Sequence, residues 1–464
     1  MIDYDLLAIQ NPWWKNKELI KNDDKLREFT SSQIKYYPKN ILDLKLEAGA
    51  INILSGPRQT GKSTALKLLI RNLLEQKFPP ERIFYFNCDA LSSRKDIIDL
   101  VLSFLNGIRD SQEAIPANYL FLDEISSVID WPYAVKWLAD GGFFTDSKMI
   151  LAGSSSINLK KSGEFLPGRR KKGRDIRYLP IAFGEYAKLI LPEIFTGQVF
   201  SSYRKLEQFS QELTRKEANL PQIYNNFLLS GGFLKMINSF IAKEPFLDTV
   251  EIYKSSLKSE LAKTGKKELF ARKVLEKVVN SLTAETSYTN VAEEAELGSK
   301  NTAADYLGFF SDAFMLMETL FYNIPQKRTI IKKNKKYYPT DPFLLWIFNS
   351  FISGSSDISG FYQKYASSPL DSQLAESFTA SELFKHGHEF YFFRNTKELD
   401  FYIPKLELGI EVKYKNKIVS SDLEGLRSAK RKIVVSKHSL EKRDDILIIP
   451  AYLFGLIDLA KISL

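Results

Sequence analysis

Short, unbroken apolar runs separated by amphipathic stretches mark the chain between residues 51 and 190. The runs are INILSG, RIFYFNCD, NYLFLDE and KMILAGSSS, and KSTALKLLIRNLLEQ lies between the first two. A strand that is apolar throughout is one buried on both faces. The alternation therefore predicts a parallel sheet with helices on each side. From about residue 191 the strand signal fades and a helical period takes over, as in YRKLEQFSQELTRKEANL. A smaller helical unit follows and ends in the basic tract KRTIIKKNKKYYP. Beyond the turn-like PTDPF, the loop or linker SGSSDISG leads into a mixed α/β unit. No tandem repeat or low-complexity tract interrupts the series.

Composition narrows the class. Apolar residues are 44% of the 464 and charged residues 26%, the balance of a soluble globular protein. The net charge of +9 permits an anionic partner without requiring one. The single cysteine, Cys88, excludes an intramolecular disulfide and fits the reducing cytosol, so a cytoplasmic location is expected. With one cysteine, the three histidines (His386, His388 and His438) cannot build a conventional structural zinc site. The N-terminal stretch carries early acids and no apolar core, so it does not read as a signal peptide. ILIIPAYLFGLI is shorter than the roughly 20 residues of a membrane span and is broken by Pro450. It is expected to be a buried strand followed by a short helix, and no membrane partner is expected.

GPRQTGKS at 56–63 satisfies G-x-x-x-x-G-K-[ST] after an expected strand and before an expected helix. In such a loop successive backbone N–H groups point inward and cradle phosphate oxygens. The nucleotide-binding set is Gly56, Pro57, Arg58, Gln59, Thr60, Gly61, Lys62, Ser63 and Thr64. Gly56 and Gly61 allow the tight path, Lys62 would reach the β- and γ-phosphates, and the Ser63 hydroxyl would ligate Mg²⁺. The expected ligands are thus ATP and Mg²⁺. NYLFLDEIS ends an apolar strand in two acids. Asp123 can hold Mg²⁺ through water, and Glu124 can polarise the attacking water. One strand, RIFYFNCD, separates the two motifs in sequence, an order similar to the NTPase division that uses a catalytic glutamate. After MILAG, Ser154 is the first candidate to sense the γ-phosphate, with Ser155 next; serines there also suit a plain loop. Arg169 and Arg170, in PGRRKKGR, are candidates for an arginine finger reaching a neighbouring subunit's nucleotide. The alternative is a solvated basic loop.

The series NPWW, GPRQTGKST, LFLDE, LAGSSS, PGRR and LPIAFGEY, with LLSGGFLKMIN and YYPTDPF further on, resembles a family of archaeal and bacterial AAA+ ATPases. In that family the ATPase domain precedes a helical lid, a winged-helix unit and a domain of the PD-(D/E)XK nuclease type. The resemblance implies a P-loop NTPase fold of three αβα layers and an oligomeric ATPase, a hexamer or another ring, acting on DNA. It implies an N-terminal extension at 1–30, the AAA+ core at 31–190, the lid at 191–260, the winged-helix unit at 261–340 and a restriction-endonuclease-like domain at 341–464.

YTNVAEEAELGSKNTAADYLGFF reads as helix, turn at Gly298 and Ser299, and helix, with KRTIIKKNKKYY as a basic wing. Lys and Arg there, with Tyr337 and Tyr338, suit phosphate contacts and stacking. The second helix carries only Lys300 near its start and also Asp305, so a protein-packing pair is the open alternative. ELDFYI and GIEVKY read as a hairpin. Alternation puts Glu411 and Lys413 on one face, with Asp400 across from them. Two carboxylates can bind Mg²⁺ or Mn²⁺, and a lysine can orient or help deprotonate the attacking water. Glu376, upstream in LAESFTASELFK, offers a further metal-side acid. The order Glu, Asp, Glu-x-Lys resembles the nuclease pattern; on spacing alone a charged hairpin explains it better. RSAKRK at 427–432 could contact backbone phosphates or simply end a basic helix.

Two functions remain open at this point. One is an ATP-hydrolysing enzyme that acts on DNA, such as branched DNA or recombination and repair intermediates, with a C-terminal domain that binds and could cleave it. The other is a signalling or defence switch whose nuclease-like domain is an effector or scaffold. A third reading, protein remodelling, has no feature in its favour.

Overall fold

A computed structural model of the chain describes residues 4–108, 117–154, 168–195, 200–244, 246–367 and 370–462. It divides into two compact units, Met1–Leu179 with Asp312–Phe314, and Pro180–Ser311 with Met315–Leu464.

In the first unit, five strands among the described residues form one parallel sheet. They are β1 (Ile51–Ser55), β2 (Ile83–Asn87), β3 (Asn118–Asp123), β4 (Ser147–Gly153) and β5 (Asp175–Arg177), in the order β2-β3-β4-β1-β5. Side chains alternate across the sheet, as the period of two requires. Leu54, Tyr85, Phe121 and Ile150 pack with Leu66, Leu69 and Leu73 of the Lys62–Glu75 helix. Ile53, Phe84, Leu120 and Leu151 face the other way, against the Arg94–Gly107 and Trp131–Asp140 helices. The result is helix, sheet, helix. Each fully buried large apolar side chain contributes about 1.5–3 kcal/mol.

The strand between the two ATP motifs in sequence, β2, lies at the sheet edge. The strand between them in space is β4. An edge strand exposes unpaired backbone groups, and the NPWW segment covers those of β2. The indole N–H groups of Trp13 and Trp14 each donate to Ile83 O at 2.9 Å. Asn11 donates to Tyr85 O at 2.9 Å and accepts from Tyr85 N at 2.7 Å.

The second unit opens with helices, including Tyr203–Arg215, Leu220–Ser230, Leu234–Ile241, Phe246–Lys263 and Glu268–Asn280. The Tyr288–Glu294 and Lys300–Asp312 helices follow, then β6 (Leu316–Thr319), β7 (Tyr322–Asn323), β8 (Arg328–Thr329) and β9 (Lys336–Pro339). Strands β6 and β9 pair antiparallel, as do β7 and β8. Only the end of the basic tract departs from the open wing expected from its composition, since Lys327, Arg328, Lys332 and Lys333 are exposed. Lys335, Lys336, Tyr337 and Tyr338 are all buried, so neither tyrosine can stack on a base. Tyr337 instead donates to Glu318 at 2.6 Å and Tyr338 to Glu376 at 2.6 Å. Lys336 can be buried because it meets the carboxylates of Glu376 and Glu398, which the sequence window did not show.

The C-terminal part is a six-stranded mixed sheet among the described residues. Its strands are β10 (Tyr391–Arg394), β11 (Glu398–Ile403), β12 (Leu408–Lys413), β13 (Arg431–Ser436), β14 (Glu441–Arg443) and β15 (Ile446–Pro450), in the order β10-β11-β12-β13-β15-β14. Pairs β12–β13 and β13–β15 are parallel and the other three antiparallel. ILIIPAYLFGLI forms β15 and then the Ala451–Phe454 helix, as its pattern predicts.

Three of the sequence segments behind the family resemblance meet in this unit. Asp341 of TDPF accepts from Gly232 N of SGGF at 2.9 Å and pairs with Lys385 at 2.7 Å. Lys385 also donates to Ile181 O at 3.2 Å. Both oxygens of Glu382 lie 3.1 Å from Phe183 N of PIAFGEY. A side chain at Gly232 would put its Cβ 2.1 Å from Ile181 O, so close approach explains that glycine.

Candidate functional site

The phosphate loop runs from the end of β1 into the Lys62–Glu75 helix, whose first residues follow Gly61 in the left-handed region at φ 96°. Gln59, at φ 61°, is also left-handed, a conformation that costs a non-glycine residue about 1–3 kcal/mol and persists only where the surroundings hold it. A Cβ at Gly56 would lie 2.0 Å from Tyr178 O, so the loop is pinned by close backbone approach. Lys62 is buried, and its ammonium donates to Gly56 O at 2.9 Å and Pro57 O at 2.8 Å. Thr60 Oγ1 donates to Pro57 O at 2.9 Å. Pro57 is buried, Arg58, Ser63 and Thr64 are half-buried, and Gln59 is exposed. The loop thus offers a helix N-terminus, free of side-chain bulk at Gly56, with a lysine and a hydroxyl beside it. That is a donor set for an anionic phosphate chain and its Mg²⁺, and these residues fit the group.

Strand β3 delivers Asp123 and Glu124. Asp123 is fully buried; its Oδ2 accepts from Tyr85 OH at 2.9 Å and its Oδ1 from Glu124 N at 3.0 Å. Glu124 is left-handed at φ 49°. Burial holds its carboxyl above the ordinary carboxylate range, while the charge of Lys62 pulls it back down. Because β4 separates β1 from β3, Ser154 at its C-terminal end stands beside Glu124, and Ser154 Oγ lies 3.3 Å from Glu124 Oε2. The strand order therefore brings together Lys62, Asp123, Glu124 and Ser154. Ser155 lies outside the described residues. Within this chain Arg169 pairs with Asp140, and Arg170 pairs with Asp175 at 2.9 Å.

Sequence reasoning missed Tyr85. Burial pushes its hydroxyl strongly up, reinforced by Asp123, so it stays protonated and donates. The Lys67 ammonium sits 3.5 Å from the Tyr85 ring centroid and 3.2 Å from Asp23. The signal was a lone polar tip in the apolar run RIFYFN, which does not stand out in a strand reading.

The C-terminal carboxylates also converge. Phe401 pairs with Ile410 in the β11–β12 ladder, so continued register sets Asp400 opposite Glu411. Asp400 Oδ2 accepts from Val412 N at 2.8 Å, and Lys413 Nζ lies 2.5 Å from Glu411 Oε1. Burial pushes Glu411 up to about 8 and Glu376 up to about 7, with Asp400 adding to both. Burial lowers Lys413, but Asp400 and Glu411 outweigh it and hold it raised. Lys336, which sequence reasoning read as a wing residue, reaches the same cluster and pairs with Glu376 at 3.2 Å and Glu398 at 2.5 Å. Lys336 and Tyr338 both donate to Glu376 Oε1, and Lys413 pairs with Glu411 Oε1. No group of three or more His, Cys, Asp or Glu among the described residues is disposed to hold a metal. Nor is any helix among them long and apolar enough to cross a membrane.

Residues 48–187 match the AAA domain family, and residues 372–454 match DUF4143, a domain family of unknown function. An uncharacterized protein of Methanocaldococcus jannaschii is 26% identical over 312 residues, 64% of this chain and 62% of its own length. This chain thus spans less than two thirds of that relative. An uncharacterized protein of Haemophilus influenzae is 26% identical over 310 residues, 66% of this chain and 70% of its own. Among solved structures, the Walker-type ATPase of Pyrococcus abyssi is similar at 12% identity and a TM-score of 0.41, over 72% of this chain and 97% of that one. The Aeropyrum pernix ORC1 protein in complex with DNA is similar at 11% identity and 0.33, over 76% and 98%. With its five-stranded parallel sheet and phosphate loop, the segment 48–187 forms an AAA-type domain on a P-loop NTPase fold.

Proposed function

We propose that this protein is an ATP-hydrolysing enzyme that acts on DNA as a homo-oligomer. The observation that carries the reading is the Lys62–Glu124–Ser154 constellation around a phosphate-binding helix N-terminus. In it, the loop amides and Lys62 would bind and orient the phosphates, and Ser63 and Asp123 would hold Mg²⁺. Bound Mg²⁺ supplies charge neutralisation on the phosphate oxygens. Glu124 is the general base: its burial makes it a better proton acceptor than an exposed carboxylate, and Ser154 fixes its orientation. Arg169 and Arg170, in the turn before β5, would serve a neighbouring subunit's nucleotide. The N-terminal extension, AAA+ core, helical lid, winged-helix-type unit and C-terminal domain follow one another at the boundaries given above.

For DNA, the support is the +9 net charge and the order Asp400, Glu411 and Lys413 on the C-terminal mixed sheet, which resembles the nuclease pattern. We assign this sheet to DNA binding. The test is ATP turnover with single-stranded, duplex and branched DNA. Stimulation by one of them is expected, and Glu124→Gln should lower turnover about 100-fold or more while retaining bound ATP. Turnover indifferent to every DNA, with an assembly state that changes between ADP and a non-hydrolysable analogue, would instead favour the switch.

A further inference from the structure

Strand β9 precedes the 372–454 segment in the chain, yet it feeds two side chains into that segment's acidic cluster. Lys336 and Tyr338, two apart and so on one face of the strand, both reach Glu376. The Lys336 side chain is 1% exposed. Its ammonium lies 3.2 Å from Glu376 Oε1 and 2.5 Å from Glu398 Oε1, and Tyr338 OH donates to the same Glu376 oxygen at 2.6 Å. Burial works against the charge on Lys336, but Glu376, Asp400 and Glu398 outweigh it and hold the lysine protonated. Arg394 adds a second cation on Glu398. Across the cluster, Lys413 takes Glu411 Oε1, whereas Glu411 Oε2 is buried with no hydrogen-bond partner.

A divalent ion needs carboxylate lone pairs at about 2.0–2.6 Å and a surplus of negative charge. Here Glu376 Oε1 already accepts two donors, and a fixed positive charge stands against it. A buried lysine with this many partners is not a solvated wing residue that swings aside freely, since withdrawing it leaves buried carboxylates unpaired. The unpartnered Glu411 Oε2 leaves the cluster one open acceptor.

We propose that Lys336 is a built-in counter-ion that fills the cation place beside Glu376 and so keeps the Glu376–Asp400–Glu411 cluster from taking a divalent ion. The inference concerns these carboxylates alone and depends on neither ATP nor DNA. It makes β9 a required part of the C-terminal site and Lys336 the group that decides whether that site is a metal centre.

The test is Mn²⁺ binding to the full nucleotide-free chain, followed by calorimetry and by the electron paramagnetic resonance signal of free Mn²⁺. Lys336→Gln is expected to bind Mn²⁺ about tenfold or more tightly than the unmodified protein, because a like charge has been removed at close range. That gain should vanish in the Lys336→Gln/Asp400→Asn double variant, and Lys336→Arg should bind no better than the unmodified chain. Equal affinity in a folded Lys336→Gln overturns the proposal. So does tight binding by the unmodified protein, below about 0.1 mM, that Asp400→Asn abolishes. This second comparison keeps Lys336 in place and stands even if its removal unfolds the unit.

Discussion

Glu382 offers the sharpest test of the electrostatics. It is 2% exposed, and burial raises its carboxyl from the ordinary 4.5 to about 7, with Lys385 and the Phe183 N–H holding it back and Asp341 adding to the rise. His386 Nε2 stands 3.8 Å away, its own proton affinity lowered by burial and by the nearby His388 and Lys385. A carboxyl whose folded value lies above its unfolded value prefers to be protonated in the folded state. Its contribution is complete below about pH 4.5 and is lost as pH rises through about 7. At about 1.4 kcal/mol per pH unit of displacement, the loss is about 3 kcal/mol. Glu382→Gln removes the titration but keeps an oxygen to accept from Phe183 N, and Lys385 keeps Asp341 and Ile181 O. The variant should therefore gain on the unmodified protein by about 3 kcal/mol between pH 4.5 and pH 8. The assay is native-state hydrogen exchange of the Leu370–Lys385 helix amides, with urea unfolding at both pH values. A stability difference between the two proteins that does not change with pH would refute the reasoning.

Further consequences follow from single contacts. Gly56→Ala places a methyl 2.0 Å from the Tyr178 carbonyl, where only backbone could yield, so a fluorescent ATP analogue should no longer bind and stability should fall by about 1–3 kcal/mol. Tyr85→Phe removes the hydroxyl on Asp123 Oδ2 without changing shape, and should cost about 1–3 kcal/mol in urea unfolding. It should also raise the Mg²⁺ concentration needed for half-maximal ATP turnover, a shift that a purely structural role would not produce. Arg169→Ala should lower turnover about 1,000-fold with nucleotide binding retained, if this arginine serves a neighbouring nucleotide; unaltered turnover in an assembled sample would remove it from that role.

Much of the ATP site is legible in the chain because its chemistry is local. The loop 56–63 needs its glycines, lysine and serine within one turn between strand and helix, and the acids at 123 and 124 end an apolar strand. Local order also fixed the β11–β12 hairpin, whose side-chain alternation alone sets Glu411 and Lys413 on one face. Strand order is another matter. Nothing in the run KMILAG says that it inserts between β1 and β3, and only that insertion sets Ser154 on Glu124. The edge position of β2 likewise explains NPWW, which has no periodicity to read but satisfies backbone groups some 70 residues away. The burial of Lys336 and Tyr338, and the meeting of Asp341, Glu382 and Lys385, were decided by tertiary structure in the same way. A basic tract is solvated by default, because desolvating a charge is costly unless opposite charges surround it. Those opposite charges come from elements 40 to 62 positions on, joined to the tract only by the folded path of the chain.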